Sequence, residues 1–264
     1  MPRPVVIPEI VSEIRRPGMR ERVRGSSWYK ITSGLAVKDE NGGGTQAEVM
    51  IYDEIGGWGI TAADFVRELA DLNVDRILLR INSPGGDVFD GLAIYNSLVS
   101  HRAQVEARVE GLAASAASFV AMAGDRVTVE KRSQMMIHDA FGFAMGNAAD
   151  MRSLADVLDS ISDQIAGIYA DRAGGEESAW RTAMKAETWY TGPEARDAGL
   201  ADEVAGEPKA EPAAAASWDL SIFTYSGRDR APDPVPILPV TIAPPARPGI
   251  DFAALAETLR GATS

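Results

Sequence analysis

Val105-Glu-Ala-Arg-Val109, followed by Glu110-Gly-Leu-Ala-Ala-Ser115-Ala-Ala-Ser-Phe119, is the stretch whose reading decides the fold. Val105 to Val109 reads as a strand and Ser115 to Ala123 as an alanine-rich helix, joined by a turn of small residues. A serine on such a turn stands where a nucleophile would. Downstream, Met135 to Ile137 reads as a short apolar strand that ends at His138. Upstream, Arg76 to Ile81 is a strand whose run Ile77-Leu-Leu79 suits burial in a parallel sheet. Val88 to Ser100 follows as a helix with Leu92, Tyr95, Leu98 and Val99 on one side. Glu48 to Tyr52 reads as a strand, Thr61 to Leu72 as a helix and Val127 to Val129 as a strand. Strands and helices alternate at βαβ spacing, so the class is α/β with a parallel sheet.

Ala148 to Ala170 reads as a long helix. Met151, Leu154, Val157, Leu158, Ile161, Ile165 and Ile168 recur at steps of three and four. So long an apolar stripe points to oligomerisation. Around the globular part, residues 27–204, lie two segments of different character. Residues 1–26 hold four prolines and six arginines and read as a basic arm. Residues 205–264 carry nine of the fifteen prolines and the run Ala213 to Ala216, and read as a mostly disordered tail. Phe252, Leu255 and Leu259 suggest a short helix near its end.

Composition narrows the function. A net charge of −12 argues against nucleic acid as a partner. The absence of cysteine removes disulfides, cysteine nucleophiles and Cys-ligated zinc. No apolar run reaches membrane-spanning length and no signal-peptide pattern opens the chain, so the expected location is the cytoplasm. No metal-ligand pattern is present, and acyl transfer needs neither metal nor organic cofactor.

A serine hydroxyl needs a base, the base needs an orienting acceptor, and the oxyanion needs aimed N–H donors. Ser115 and His138 match the first two roles, although a plain N-cap serine and a structural histidine match the same spacing. Ser118 lies one turn deeper and is the weaker nucleophile candidate. His101 sits at a helix C-terminus, where a cation is favoured. Lys131, the lysine nearest in sequence, belongs to a solvated turn and makes a poor base. Ile81-Asn-Ser-Pro-Gly-Gly86-Asp87 joins a strand to a helix and can turn N–H groups toward an anion.

Together these segments resemble the Clp protease proteolytic subunit family, the ClpP-type serine peptidases. The resemblance covers residues 45–204. It rests on Ile81-Asn-Ser-Pro-Gly-Gly86, Gly111-Leu-Ala-Ala-Ser-Ala116, Met136-Ile-His138 and Thr191-Gly-Pro-Glu-Ala195 with Gly199-Leu-Ala-Asp202. It implies a ClpP/crotonase-like fold with a long projecting handle helix. Ser115 then matches the nucleophile and His138 the base, with Gly86 and Ala116 supplying the oxyanion-hole N–H groups. Glu187 stands where the family has an aspartate, one methylene shorter; Asp139 is an adjacent carboxylate expected to point away from the ring. The resemblance further implies a polypeptide substrate and assembly of homo-oligomeric rings around a chamber. The basic arm, Glu187-Thr-Trp189 and the tail look more like the head maturation proteases of bacteriophages and prophages, with capsid or scaffold proteins as partners. The alternatives are a housekeeping subunit working with a Clp-type ATPase, a degenerate scaffold subunit, and an acyl-CoA enzyme of the crotonase type.

Overall fold

A computed structural model describes residues 28–37, 44–56, 61–206 and 218–237. The basic arm 1–26 and the short helix expected over 250–260 lie outside the described residues.

The architecture grows from the strand–turn–helix units read in the sequence. β3 (Arg76–Ser83) and β4 (Gln104–Ala114) run parallel at the centre. Ile77, Leu79 and Ile81 of β3, with Ala107 and Val109 of β4, have no exposed surface. β2 (Gly44–Ile51) pairs parallel to β3, and β1 (Tyr29–Val37) adds an antiparallel edge. On the other side β5 (Arg126–Glu130) pairs parallel with β4, and β8 (Glu203–Ala205) with β5. The crossovers are helices α1 (Ala62–Ala70), α2 (Val88–Val99) and α3 (Ala116–Ala121). α1 buries Phe65 and Leu69 against the sheet. Asp87 caps α2, its carboxylate accepting from the N–H groups of Phe89 and Asp90 at 2.9 and 3.0 Å. The mixed α/β class with a mostly parallel sheet is as expected.

β4 runs past the expected Val109 to Ala114 because it serves two neighbours. Its first half pairs with β5, and Leu112 to Ala114 pair with β6 (Gln134–Ile137), which pairs antiparallel with β7 (Thr188–Thr191). The register between β3 and β4 shifts at the branch point: Ile81 faces Val109, but Ser83 faces Ala113. Asn82 fills the gap, its Oδ1 accepting from the Leu112 N–H at 3.1 Å. This branch carries the end of β4 and the end of β6, hence Ser115 and His138, to one place.

α4 (Ala148–Ala173) extends three residues beyond the expected Ala170. Its apolar stripe is not uniform. Ile161, Ile165 and Ala166 are buried with Tyr169, whereas Met151 and Val157 stay 37% and 48% exposed. The helix outruns the surface beneath it, so its first three turns project. α5 (Glu177–Lys185) and α6 (Gly192–Asp197) complete the core side. Past β8, residues 218–237 pack on the body rather than following the disordered tail expected there. Phe223 is buried, and Trp218, Leu220 and Tyr225 lie against Leu112, Ala114, Met136 and Trp189. Proline content told of poor core-forming capacity along 205–264, but this aromatic cluster buries enough surface to order itself.

Candidate active site

Ser115 is the residue on which β4 ends and α3 begins. It sits at φ 53° and ψ −127°, a conformation that β-carbon-bearing residues rarely adopt. A serine so placed is not a plain N-cap: its side chain makes no cap hydrogen bond. The Ser115 Oγ lies instead 2.7 Å from Nε2 of His138. The strained turn is fixed from two sides. The Ser115 N–H donates to the Met136 carbonyl at 2.9 Å, which ties the turn to the strand that carries His138. The Ser115 carbonyl accepts from Ser118 Oγ at 2.5 Å, and Ser118 Oγ meets the Tyr169 hydroxyl at 2.7 Å. Burial pushes the Tyr169 phenol up, so it stays a neutral hydrogen-bonding group. Ser118 therefore supports the turn from below.

The β3–α2 turn closes over Ser115. Ser83 Oγ donates to the Asp53 carbonyl at 2.6 Å and accepts from the Gly85 N–H at 3.1 Å. The Ile55 N–H donates to the Gly85 carbonyl at 2.7 Å, and the Asp87 N–H donates to the Ile55 carbonyl at 2.9 Å. Gly86 between them has φ 148°, and a β-carbon there would run into the Ile55 backbone. Gly85, at φ 96°, approaches still closer to the serine: a β-carbon would lie 2.6 Å from Ser115 Cβ and 2.8 Å from the Ala116 nitrogen. Only glycine permits that contact. The turn holding Gly86 is thus pressed against the N-terminus of α3, where Ala116 is the first helical residue.

His138 follows β6 and is largely buried. Burial is the dominant influence and pushes its pKa down; the charges of Glu187 and Asp139 oppose this by less. The ring is flanked by Phe141 at 5.5 Å and, edge to face, by Phe223 at 5.3 Å and 88°. Asp139 points away from it, as expected, into a two-bond pairing with Arg181 of α5 at 2.9 and 3.0 Å. The same guanidinium reaches Asp159 and Asp163 of α4 at 2.7 and 2.5 Å. Only 11% of the Arg181 side chain is exposed. The chain beyond His138 is therefore pinned to the long helix.

Glu187, expected to orient His138, makes its hydrogen bonds elsewhere. It stands at φ 50° between α5 and β7 and is buried, 8% exposed. Its carboxylate accepts from Trp189 Nε1 at 3.2 Å and from the N–H groups of Thr224 and Tyr225 at 2.7 and 2.8 Å. Among the described residues no hydrogen bond joins it to His138, which it influences by charge alone. The sequence could not show this, because two of the three donors, Thr224 and Tyr225, lie 37 and 38 residues downstream. Phe223, Arg181 and Tyr169 are the other site neighbours that motif reading missed. The signal for Phe223 was present: Trp218, Leu220, Ile222, Phe223 and Tyr225 cluster inside an otherwise Pro/Ala-rich tail. His101 stays outside the site, its Nδ1 accepting from the Ala103 N–H at 3.0 Å. Among the described residues no group of three His, Asp or Glu side chains is placed to hold a metal ion. Nor is any helix there long and apolar enough to cross a membrane.

The family model described as Clp protease matches residues 45–208. The chain belongs to the Clp protease family. Its class is that of a serine-type endopeptidase. An ATP-dependent Clp protease proteolytic subunit from Chlorella vulgaris is 33% identical over 135 residues, covering 50% of this chain and 67% of the relative. A protein of the same name from Bacteroides fragilis is 34% identical over 131 residues, covering 48% and 63%. ATP-dependent Clp protease proteolytic subunit 1 of Gloeobacter violaceus matches over a longer stretch, 32% identical over 203 residues, 76% of this chain and 96% of the relative. The chain thus spans about two thirds of the first two Clp protease relatives and almost all of the third.

Proposed function

We propose that this chain is a Clp-type proteolytic subunit that cleaves polypeptides through Ser115 and His138. The observation that carries the reading is the 2.7 Å contact between Ser115 Oγ and His138 Nε2 on a left-handed turn. For Nε2 to accept from the hydroxyl, the neutral ring carries its proton on Nδ1. Ser115 Oγ attacks the peptide carbonyl carbon as its proton passes to Nε2. The carbonyl oxygen takes the negative charge between the N–H groups of Gly86 and Ala116. Nε2 then gives its proton to the leaving amine as the C–N bond breaks, and an acyl ester remains on Ser115. Water, deprotonated by the same nitrogen, hydrolyses that ester. The charge of Glu187 favours the imidazolium without a bond to the ring.

The relatives are named as ATP-dependent proteolytic subunits. That favours a subunit working with an ATP-driven partner, and we adopt it over head maturation in a phage, which rests on the two terminal segments and Glu187-Thr-Trp189. Assembly into rings has its own support: the exposed apolar residues Phe143, Met145, Met151 and Val157 gather at the start of α4.

A fluorophosphonate probe tests the reading. The expected adduct maps to Ser115, disappears in Ser115→Ala and forms about 10⁴-fold more slowly in His138→Ala. An unlabelled assembled protein would instead point to a scaffold subunit or, with CoA binding, to an acyl-CoA enzyme.

A further inference from the structure

The segment 218–231 has no part in the reaction as described, yet it lies on the catalytic histidine. Phe223 meets the His138 ring edge to face at 5.3 Å and the Trp189 ring at 6.1 Å. The next two residues hold both oxygens of Glu187 through their N–H groups. Arg228 then fastens the segment. Its guanidinium donates to both carboxylate oxygens of Glu194 at 2.8 and 2.7 Å, and its own N–H donates to Gln134 Oε1 at 3.0 Å. Gln134 opens β6, the strand that His138 follows. The segment is thus a strap bound at two points to the elements that present the histidine.

We infer that Phe223, carried on this strap, is a positioning residue for His138, and that Glu187 is the strap's anchor. The inference rests on the reading of Ser115 and His138 as nucleophile and base. A base that acts by geometry needs a fixed ring. Among the described residues the usual fixing bond, from the second ring nitrogen's N–H to a carboxylate, is not made; the Glu187 carboxylate accepts from three other donors. Packing replaces it: Phe223 and Phe141 bracket the imidazole. Ser115 stays partly exposed with the strap in place, so the strap supports the site without plugging it.

Few charges face the ring. Ser115 comes from the β4–α3 turn, and Glu187 from the α5–β7 turn. Asp139 lies on the ring's own segment and is paired with Arg181 of α5. The strap brings an apolar ring, and its nearest cation, Arg228, is paired with Glu194. Arg228 holds the Glu194 carboxyl down at about 2, so the fastening persists at any pH where a histidine titrates. Loss of Phe223 therefore acts on His138 chiefly by admitting water and loosening the ring. Hydration raises the pKa of a buried histidine.

The test measures fluorophosphonate labelling rates of the full chain between about pH 5 and 8. Phe223→Ala is expected to lower the plateau rate about tenfold and to move the titration midpoint upward. Phe223→Leu should fall between, and Arg228→Ala should shift both readings the same way by releasing the fastening. If Phe223→Ala does not fold, the other two variants carry the comparison. Wild-type rate and midpoint in every variant would overturn the inference while leaving Ser115 as nucleophile. Faster labelling would also overturn it and make the strap a cover on the site. A wild-type chain that is never labelled would remove the peptidase reading itself, and this inference with it.

Discussion

Ser115, His138 and Glu187 show how far a side chain's chemistry depends on its surroundings. Ser115 gains its role from φ 53°, which turns Oγ out of the capping position and toward His138. His138 acts as a base only when neutral, and burial favours that form. With the pKa pushed below the ordinary value of about 6.5, the neutral form persists into mildly acid solution. Labelling of Ser115 should therefore hold its plateau at neutral pH and fall as pH drops through a midpoint below that value. A midpoint above it would mean that the carboxylates outweigh burial. Glu187 was expected in the place of the family's acid, but its carboxylate accepts from Trp189 and from the Thr224 and Tyr225 N–H groups. Its place in the sequence suggested a role, and its partners were set by the fold.

The decisive elements are the β3–α2 turn and the branch of β4. Both were readable in part. Ile81-Asn-Ser-Pro-Gly-Gly-Asp87 has the turn and cap residues that a strand-to-helix junction needs, and helix α2 begins there as expected. The closeness of Gly85 to Ser115 was not readable, since it depends on the shifted register between β3 and β4. Gly85→Ala puts a methyl group against Ser115 Cβ and the Ala114 carbonyl, in a left-handed conformation that disfavours it. The expected outcome is a folded protein labelled about 100-fold more slowly, the scale of a displaced oxyanion donor. Labelling kinetics alongside circular dichroism check this. Strands β1, β7 and β8 escaped the sequence reading because two of them are short and none has a clear two-residue alternation.

For the whole molecule, α4 divides between the core and the surface. Its second half belongs to the core; its first half offers Met151 and Val157 to whatever lies outside. Substituting both with glutamate should leave the subunit folded, since neither is part of its core. It should also shift sedimentation to smaller species, and unchanged sedimentation would place the assembly surface elsewhere. Arg181 ties this helix to the segment after His138 through Asp139, Asp159 and Asp163. The segment after His138 is thereby joined to α4 by a short chain of charged hydrogen bonds.

The sequence by itself determined the α/β class, the order of the strands and helices around Ser115 and His138, and the glycines of the turn. Each of these follows from local periodicity, small residues and turn chemistry, which act over a few positions. The tertiary structure alone decided which donors claim the Glu187 carboxylate and which ring packs on His138. The contacts that Phe223, Thr224 and Tyr225 make there join residues far apart in the chain. They depend on 218–231 folding back over β6 and β7, where a few aromatic residues offset the ordering entropy that the composition of the tail opposes.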